Sequence, residues 1–347
     1  MSETARSPLP PGTGLYPLRF GPIFQYRLWG GRHLEEVMNM PLPGDGPIGE
    51  AWLLSDRGDN ASRVVDGPLA GWTLQDVMRA APQQLLGDGT PAFTRFPLLL
   101  KFLDAHQMLS VQVHPTDEQA EHLEAADSIG LGYAKTEAWV VLAAGEHSRI
   151  YAGVEPGTKP DDLRALSAAT MSLHVASFTP KAGDAVFVPA GTVHSLGGDV
   201  VVFEVQQNSD VTFRLFDWDR VDPATGTPRE LQVEEALACV DVSVGPVAAA
   251  VPVVESVDPV RRERLVRCEQ FGVWRLSGRS PFPVGAVGKP RVVVSIDGEA
   301  EVDHNGDSYR LRRGDVLVLP AVVGVCVVRP IGEVTVLELS LPERGEE

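Results

Sequence analysis

Two polar side chains interrupt the apolar, strand-like run LSVQVHPTD, Leu109 to Asp117. Gln112 and His114 flank Val113 and follow Val111. Residues two apart on a strand share a face, so the amide and the imidazole point the same way. Buried without partners, such groups cost about 1–3 kcal/mol each. A metal ion taking one atom from each would satisfy both. A lone buried histidine is more often a hydrogen-bonded core residue, and the paired glutamine shifts the balance toward coordination. A carboxylate candidate follows in GYAKTEAWVVL, where Glu137 opens an apolar strand near Trp139. Lys135 lies two residues earlier. On one strand both would face one way, which places an ammonium beside the carboxylate. An exposed Lys/Glu edge pair is the commoner meaning of that spacing.

A second histidine sits in GDAVFVPAGTVHSL, as Gly183-x5-Pro189-x-Gly191-x2-His194. This resembles the second signature motif of the cupin superfamily, whose members are small β-barrels of jelly-roll type. The resemblance implies that Pro189 ends a strand, Gly191 makes the hairpin, and His194 points inward to a metal. The competing reading is an ordinary Pro-Gly hairpin with a solvent-facing histidine.

The elements that must position these residues are mostly strands. Short runs rich in Val, Leu and Phe, bounded by Gly, Asp and Pro, predict strands at 96–103, 109–114, 138–143, 185–189, 200–206, 291–296 and 316–320. Helical spacing appears in GWTLQDVMRAAPQQLL through Leu74, Val77 and Met78. PTDEQAEHLEAADS carries Thr116 and Gln119 three apart, a capping-box pattern. KPDDLRALSAA places Pro160, Asp161 and Asp162 in a first turn. PRELQVEEALACV is a fourth candidate.

The fold class expected is therefore mainly β: two cupin-like jelly-roll barrels with inserted helices. Two barrels are inferred from an internal repeat. GDAVFVPAGTVHSL and GDVLVLPAVVGVCV both begin Gly-Asp, run through an apolar strand, and end Pro-Ala. In the second copy Val322 replaces Gly191 and Val325 replaces His194, so that copy is expected to be metal-free. Residues 1–14 read as a flexible tail, 15–245 as a metal-binding catalytic domain, and 246–347 as a second domain without metal ligands. Val244 to Val257 is low in complexity and is assigned to the crossing between them.

The chain of 347 residues carries a net charge of −17, which argues against nucleic acid or an anionic membrane as partner. A few local cations could still serve a small anionic ligand. Cys239, Cys268 and Cys326 form no CxxC, so a disulfide framework or thiolate zinc site is not expected, and a cytoplasmic setting is the default.

Several ordered blocks identify a family. PLLLKFLDAHQMLSVQVHP, GYAKTEAWVVL, DAVFVPAGTVHSL and VFEVQQNSDVTFRLFDWDR resemble successive blocks of type I phosphomannose isomerases. IFQYRLWGGRHL, PIGEAWLLSD and PRELQVEEAL resemble flanking stretches, so the likeness covers most of Leu18 to Val240. It implies one zinc ion per chain, held by Gln112, His114, Glu137 and His194. That set is oxygen and imidazole without thiolate, which suits zinc. It also implies functional roles for Asp210 and Arg214, and substrate-pocket roles for Lys101 and Ser110. Ser110 shares the parity of Gln112 and His114; Lys101 is a single charge in an apolar run, otherwise read as a snorkelling edge lysine. A surface ion pair is the competing reading of Asp210 and Arg214, and the main reading of Asp217, Asp219 and Arg220. His33, His106, His122, His147, His174 and His304 have no motif support and read as surface or ordinary hydrogen-bonding residues.

The reaction implied is interconversion of D-mannose 6-phosphate and D-fructose 6-phosphate through a cis-enediol, on a monomer or weak homo-oligomer. Arg214 and Lys135 would add positive charge. Asp210, Glu137, Lys135 and a metal-bound water remain open as the base. Two alternatives are a non-catalytic cupin that senses a sugar phosphate, and an isomerase of a related sugar.

Overall fold

The structure, a computed structural model, describes residues 8–88, 93–122, 134–222 and 225–342. Three antiparallel sheets carry it. A six-stranded sheet runs, in spatial order, Ala185–Val188, Glu137–Ala144, Val200–Gln207, Leu98–Ala105, Ile23–Gly31 and Ile48–Leu54. A five-stranded sheet runs Val175–Phe178, Arg149–Val154, His194–Gly197, Val111–Val113 and Phe213–Phe216. A nine-stranded sheet is built from Val253 onward, except that Leu18–Phe20 joins its edge against Val316–Leu319. The expected barrels are thus realised as packed sheets; among the described residues none closes into a ring.

The six-stranded sheet is covered on both faces, which explains why its strands read as unbroken apolar runs. Leu98, Leu100, Phe102, Ala138, Val140, Val201, Phe203 and Val205 pack toward the nine-stranded sheet, with Val273, Val292 and Val294. The alternate residues Leu103, Trp139, Val141 and Val202 pack toward the five-stranded sheet, with Ile150, Ala152 and Leu196. Lys101, Glu137 and Glu204 share that second parity, so their charges enter the space between the two smaller sheets. The nine-stranded sheet encloses a separate apolar core that includes Phe282, Val293, Val302, Leu317, Cys326 and Val328.

The predicted strands are present with shifted ends. The run expected at 96–103 is Leu98–Ala105, and the one at 109–114 shortens to Val111–Val113. The run at 291–296 continues to His304, because Gly298 at φ +73° lets the strand bend rather than stop. The first helical candidate divides into Leu74–Ala80 and Pro82–Leu86, parted at Ala81, and Thr73 with Asp76 forms its capping box. The Thr116 capping box is present: Gln119 N donates to Thr116 Oγ1 at 3.2 Å and Thr116 N to Gln119 Oε1 at 2.9 Å. That helix is described as Asp117–His122; the rest of its candidate stretch lies outside the described residues. Pro160–Arg164 and Val233–Cys239 are the third and fourth helices expected.

Residues 1–7 of the expected tail also lie outside the described residues, and Leu9 packs partly buried on the main core. The segment expected to cross between domains follows the first two sheets. Val247 N donates to Ala152 O at 3.0 Å and Ala250 N to Ala185 O at 2.7 Å, before Val253–Ser256 becomes a strand. No described helix is long and apolar enough to cross a membrane.

The sequence repeat is a structural repeat. Gly183 and Gly314 adopt φ +92° and +89°. Lys181 N donates to Asp184 Oδ2, and Arg312 N to Asp315 Oδ2, each at 2.8 Å. Thr192 N then bonds Pro189 O at 3.2 Å, and Val323 N bonds Pro320 O at 2.9 Å.

Candidate metal centre and substrate pocket

Strand register gathers the polar residues. His194 and Arg214 both stand opposite Gln112, from the strands on either side of Val111–Val113. In the facing sheet Glu204 stands opposite both Lys101 and Trp139, and Gln206 opposite Glu137. Cross-strand neighbours on one face are within side-chain reach, so residues far apart in sequence meet.

His114, Glu137 and His194 are fully buried, and their ligand atoms lie within 4.8 Å of one another. His194 Nε2 is 3.3 Å from Glu137 Oε1, and His114 Nε2 is 3.7 Å from Glu137 Oε2. His194 Nδ1 donates to Thr192 O at 2.9 Å, which fixes the tautomer and leaves the Nε2 lone pair facing the cluster. The Gln112 amide lies 3.1 Å from that Nε2. Lys135 Nζ is 2.5 Å from Glu137 Oε2 and 3.0 Å from His114 Nε2. Both residues are buried, so the exposed edge pair is excluded.

Burial, aided by the Lys135 charge, holds His194 down at about 4 and pushes His114 well below the usual histidine value. Both imidazoles are therefore neutral near pH 7, the form that ligates metals. Burial pushes the Glu137 carboxyl above its ordinary range, opposed by Lys135. Glu137 Oε1 is buried without a hydrogen-bond donor and faces the Nε2 lone pair of His194. Facing acceptors with no proton between them, in a Gln/His/Glu/His donor set, fit a cation.

Beside the cluster opens a cavity of about 300 Å³, lined by Arg27, Glu50, Lys101, Ser110, Gln112, Lys135, Glu204, Asp210, Arg214 and Arg229 among others. Five cations against three carboxylates make it locally basic in an acidic chain. Lys101 is a buried interior residue, not an edge lysine: Nζ is 3.4 Å from Glu204 Oε1 and 5.4 Å from the Trp52 ring centre. Burial alone would depress its pKa, but Glu50 and Glu204 reverse this and hold the ammonium above the ordinary lysine value. Trp139 Nε1 donates to Glu204 Oε2 at 3.0 Å and Trp52 Nε1 to Glu50 Oε2 at 2.6 Å, so both carboxylates are fixed in turn. Ser110 is buried and donates to Gln112 Oε1 at 3.3 Å.

Arg214 is the least committed of the cations. Its Nε is buried without a partner, and its Nη1 reaches only Gln232 Oε1 at 3.5 Å. Burial, reinforced by Arg229, lowers its pKa from the ordinary arginine value, as for a desolvated cation lacking an anion. No ion pair joins Arg214 to Asp210 among the described residues, and Asp210 is exposed at the pocket rim. Asp217, by contrast, is ion-paired as expected, but buried rather than on the surface. It pairs with Arg220 and accepts from Arg229 Nε at 2.8 Å.

Arg27, Glu50, Glu204 and Arg229 were not singled out by sequence reasoning. Glu204 had a usable signal, the same lone charge in an apolar run that marks Lys101.

Fold and site together define a cupin-like β protein with a buried His–Glu–His cluster beside a basic pocket. Residues 18–144 match the catalytic-domain model of type I phosphomannose isomerase. The chain is 34% identical over 318 residues to a probable mannose-6-phosphate isomerase of Bacillus subtilis (strain 168), covering 89% of this chain and 95% of that protein. It is 35% identical over 298 residues to a mannose-6-phosphate isomerase of Streptococcus mutans, covering 85% and 89%. The crystal structure of the mannose 6-phosphate isomerase from Bacillus subtilis superposes with a TM-score of 0.83 at 28% identity, covering 94% of this chain and 99% of that one. The chain belongs to the type I phosphomannose isomerases, a family of enzymes.

Proposed function

We propose that this chain interconverts D-mannose 6-phosphate and D-fructose 6-phosphate through a cis-enediol, with one zinc ion held by Gln112, His114, Glu137 and His194. The observation that carries the reading is the meeting of neutral His114, neutral His194 and Glu137 at the wall of a basic pocket. A half-turn of the Gln112 amide presents its oxygen instead of its nitrogen to the cluster without moving the chain. When bound, the ion supplies Lewis acidity toward a substrate oxygen.

The protein's own groups do the rest. Lys101 and Ser110 bind the phosphorylated substrate, and Arg214 offers a planar fork to phosphate or to a developing enediolate oxygen. A preorganised donor of this kind contributes roughly 2.7–4 kcal/mol to a charged transition state. Asp210 takes the C2 proton and returns one to C1. It is the pocket carboxylate without a hydrogen bond or ion pair among the described residues, whereas Glu50 and Glu204 are engaged with tryptophan and cations. Lys135 keeps positive charge beside Glu137. Residues 15–245 form the catalytic unit in this reading, and 246–347 support it without holding metal.

A coupled assay on mannose 6-phosphate with and without chelator tests the proposal, alongside His114→Ala and Asp210→Asn with metal content measured on each. His114→Ala should lose metal and turnover together; Asp210→Asn should lose turnover and keep its metal. Full turnover after complete zinc removal overturns the metal role. A strong preference for unphosphorylated sugars overturns the roles of Lys101 and Ser110.

A further inference from the structure

A second group of ligand-type side chains lies away from the pocket. His33 follows the Ile23–Gly31 strand, His106 follows Leu98–Ala105, and Asp199 precedes Val200–Gln207. Gly30 and Val200 both stand opposite Ala105, so the three segments end side by side. Ligand atoms of His33, His106 and Asp199 lie within 4.8 Å of one another. His106 Nδ1 is 2.5 Å from Asp199 Oδ1, and His33 Nε2 is 4.0 Å from the same oxygen. The two rings stand 5.7 Å apart.

What distinguishes this group from a chance surface cluster is how it is held. Asp104 is fully buried and clamps His33 twice, accepting from His33 N at 2.6 Å and meeting His33 Nδ1 at 2.9 Å. That contact sets the proton on Nδ1 and turns the Nε2 lone pair outward. A carboxylate behind an imidazole is the arrangement that orients metal-binding histidines. Asp199 is fixed by its backbone: its N donates to Ala105 O at 3.1 Å, and its carbonyl accepts from Gly145 N at 2.9 Å. Gly31 leaves the necessary space, since a Cβ there would come within 2.9 Å of both Asp104 Oδ1 and His106 Cβ. The parity of Asp104 is opposite to that of Lys101, so the carboxylate behind this group projects from the sheet face turned away from the substrate pocket.

The geometry points to a second metal site, solvent-facing, in which His33, His106 and Asp199 take a divalent transition ion of the zinc class, with Asp104 as the orienting carboxylate. Two imidazoles and one carboxylate suit such an ion rather than calcium or magnesium, which take all-oxygen shells. Open coordination positions are left to water. By joining the ends of three neighbouring strands, the ion stabilises the folded chain.

The test is calorimetric titration of the full-length protein with Zn2+ to saturation, comparing wild type with His106→Gln. Wild type should bind one equivalent more, and Zn2+ should raise its melting temperature further than that of the variant. Asp104→Asn should retain the site with affinity lowered about 10–100-fold. Equal stoichiometry and affinity in wild type and His106→Gln overturn the proposal, as does unchanged Zn2+ affinity in Asp104→Asn. His114→Ala should remove a different equivalent and leave this one intact, so failure of either site is read separately. His106 and Asp199 are solvent-exposed, so substitution there does not empty a core.

Discussion

The two copies of the Gly-Asp turn, apolar strand and Pro-Ala corner share a backbone and differ in the residues beyond the corner. In the first copy Gly191, at φ +85°, turns the chain so that buried His194 joins Glu137. In the second, Val322 and Val325 are each about half exposed, and the enclosed core is Val, Leu, Ala, Phe and Cys. The same unit thus frames a polar interior in one place and an apolar one in the other. The polar interior is expensive. Lys101, Lys135, Glu50, Glu137 and Glu204 are all buried, and each charge is tolerated because an opposite charge or an indole N–H faces it. An apolar core of similar volume would be as stable or more so, which is why the polar one signals function.

The largest expected effect separates the copies directly. His194→Ala should lower turnover by more than about 100-fold, the upper end of what losing an outer-shell partner costs, and abolish the metal binding proposed for this cluster. Val325→His, the reciprocal graft, should add no metal equivalent, because position 325 is exposed and Glu338, which accepts from Gly285 N opposite it, is already paired with Arg262. Activity assays with elemental analysis check both. Gain of an ion by the graft would break the comparison.

Next come two truncations matched in stability. Phe282→Ala empties the second core and should cost about 3–5 kcal/mol, with metal content and kcat/KM of the folded fraction unchanged. Lys101→Met removes the cation paired with Glu204, while Glu50 keeps its pair with Arg27, and should cost about as much, roughly 3–5 kcal/mol. It should also raise KM for mannose 6-phosphate. Denaturant titration beside steady-state kinetics distinguishes them. Equal kinetics in the two variants would remove Lys101 from the substrate pocket.

How far the sequence revealed this contrast depends on the range of each interaction. The Thr116–Gln119 cap was legible because both partners lie within one helical turn. Gln112 and His114 were legible because parity is local. The repeat itself was visible, down to the missing histidine. Glu50, Arg27 and Arg229 were not, because their place in the pocket is set by register and chain path across elements distant in sequence. His33 and His106 were read as surface or ordinary hydrogen-bonding residues, and Asp199 was not singled out, for the same reason: three strand ends meet there, and none carries a motif. The Arg291–His304 strand was cut short because a glycine with polar neighbours resembles a turn until the partner strand is seen to bulge with it.

The smallest effect tests whether the repeated turn is equivalent in its surroundings. Gly183 and Gly314 have nearly the same left-handed φ, so alanine at either position costs about 1–2 kcal/mol for the backbone alone. Their neighbours differ. A Cβ at 183 would sit 3.3 Å from Arg275 Nη1, the end of a long side chain that is held by Gly183 O and Glu263 but needs to give only a few tenths of an ångström. A Cβ at 314 would sit 3.0 Å from Met38 O, a backbone carbonyl that moves only with its helix end. Gly314→Ala should therefore destabilise more than Gly183→Ala, by about 1 kcal/mol beyond the shared strain. Denaturant midpoints at constant m-value measure the difference. The reverse order would mean that Arg275, which donates to Gly183 O at 2.8 Å, is the more rigid neighbour, and that the sheet interface rather than the turn governs the first copy.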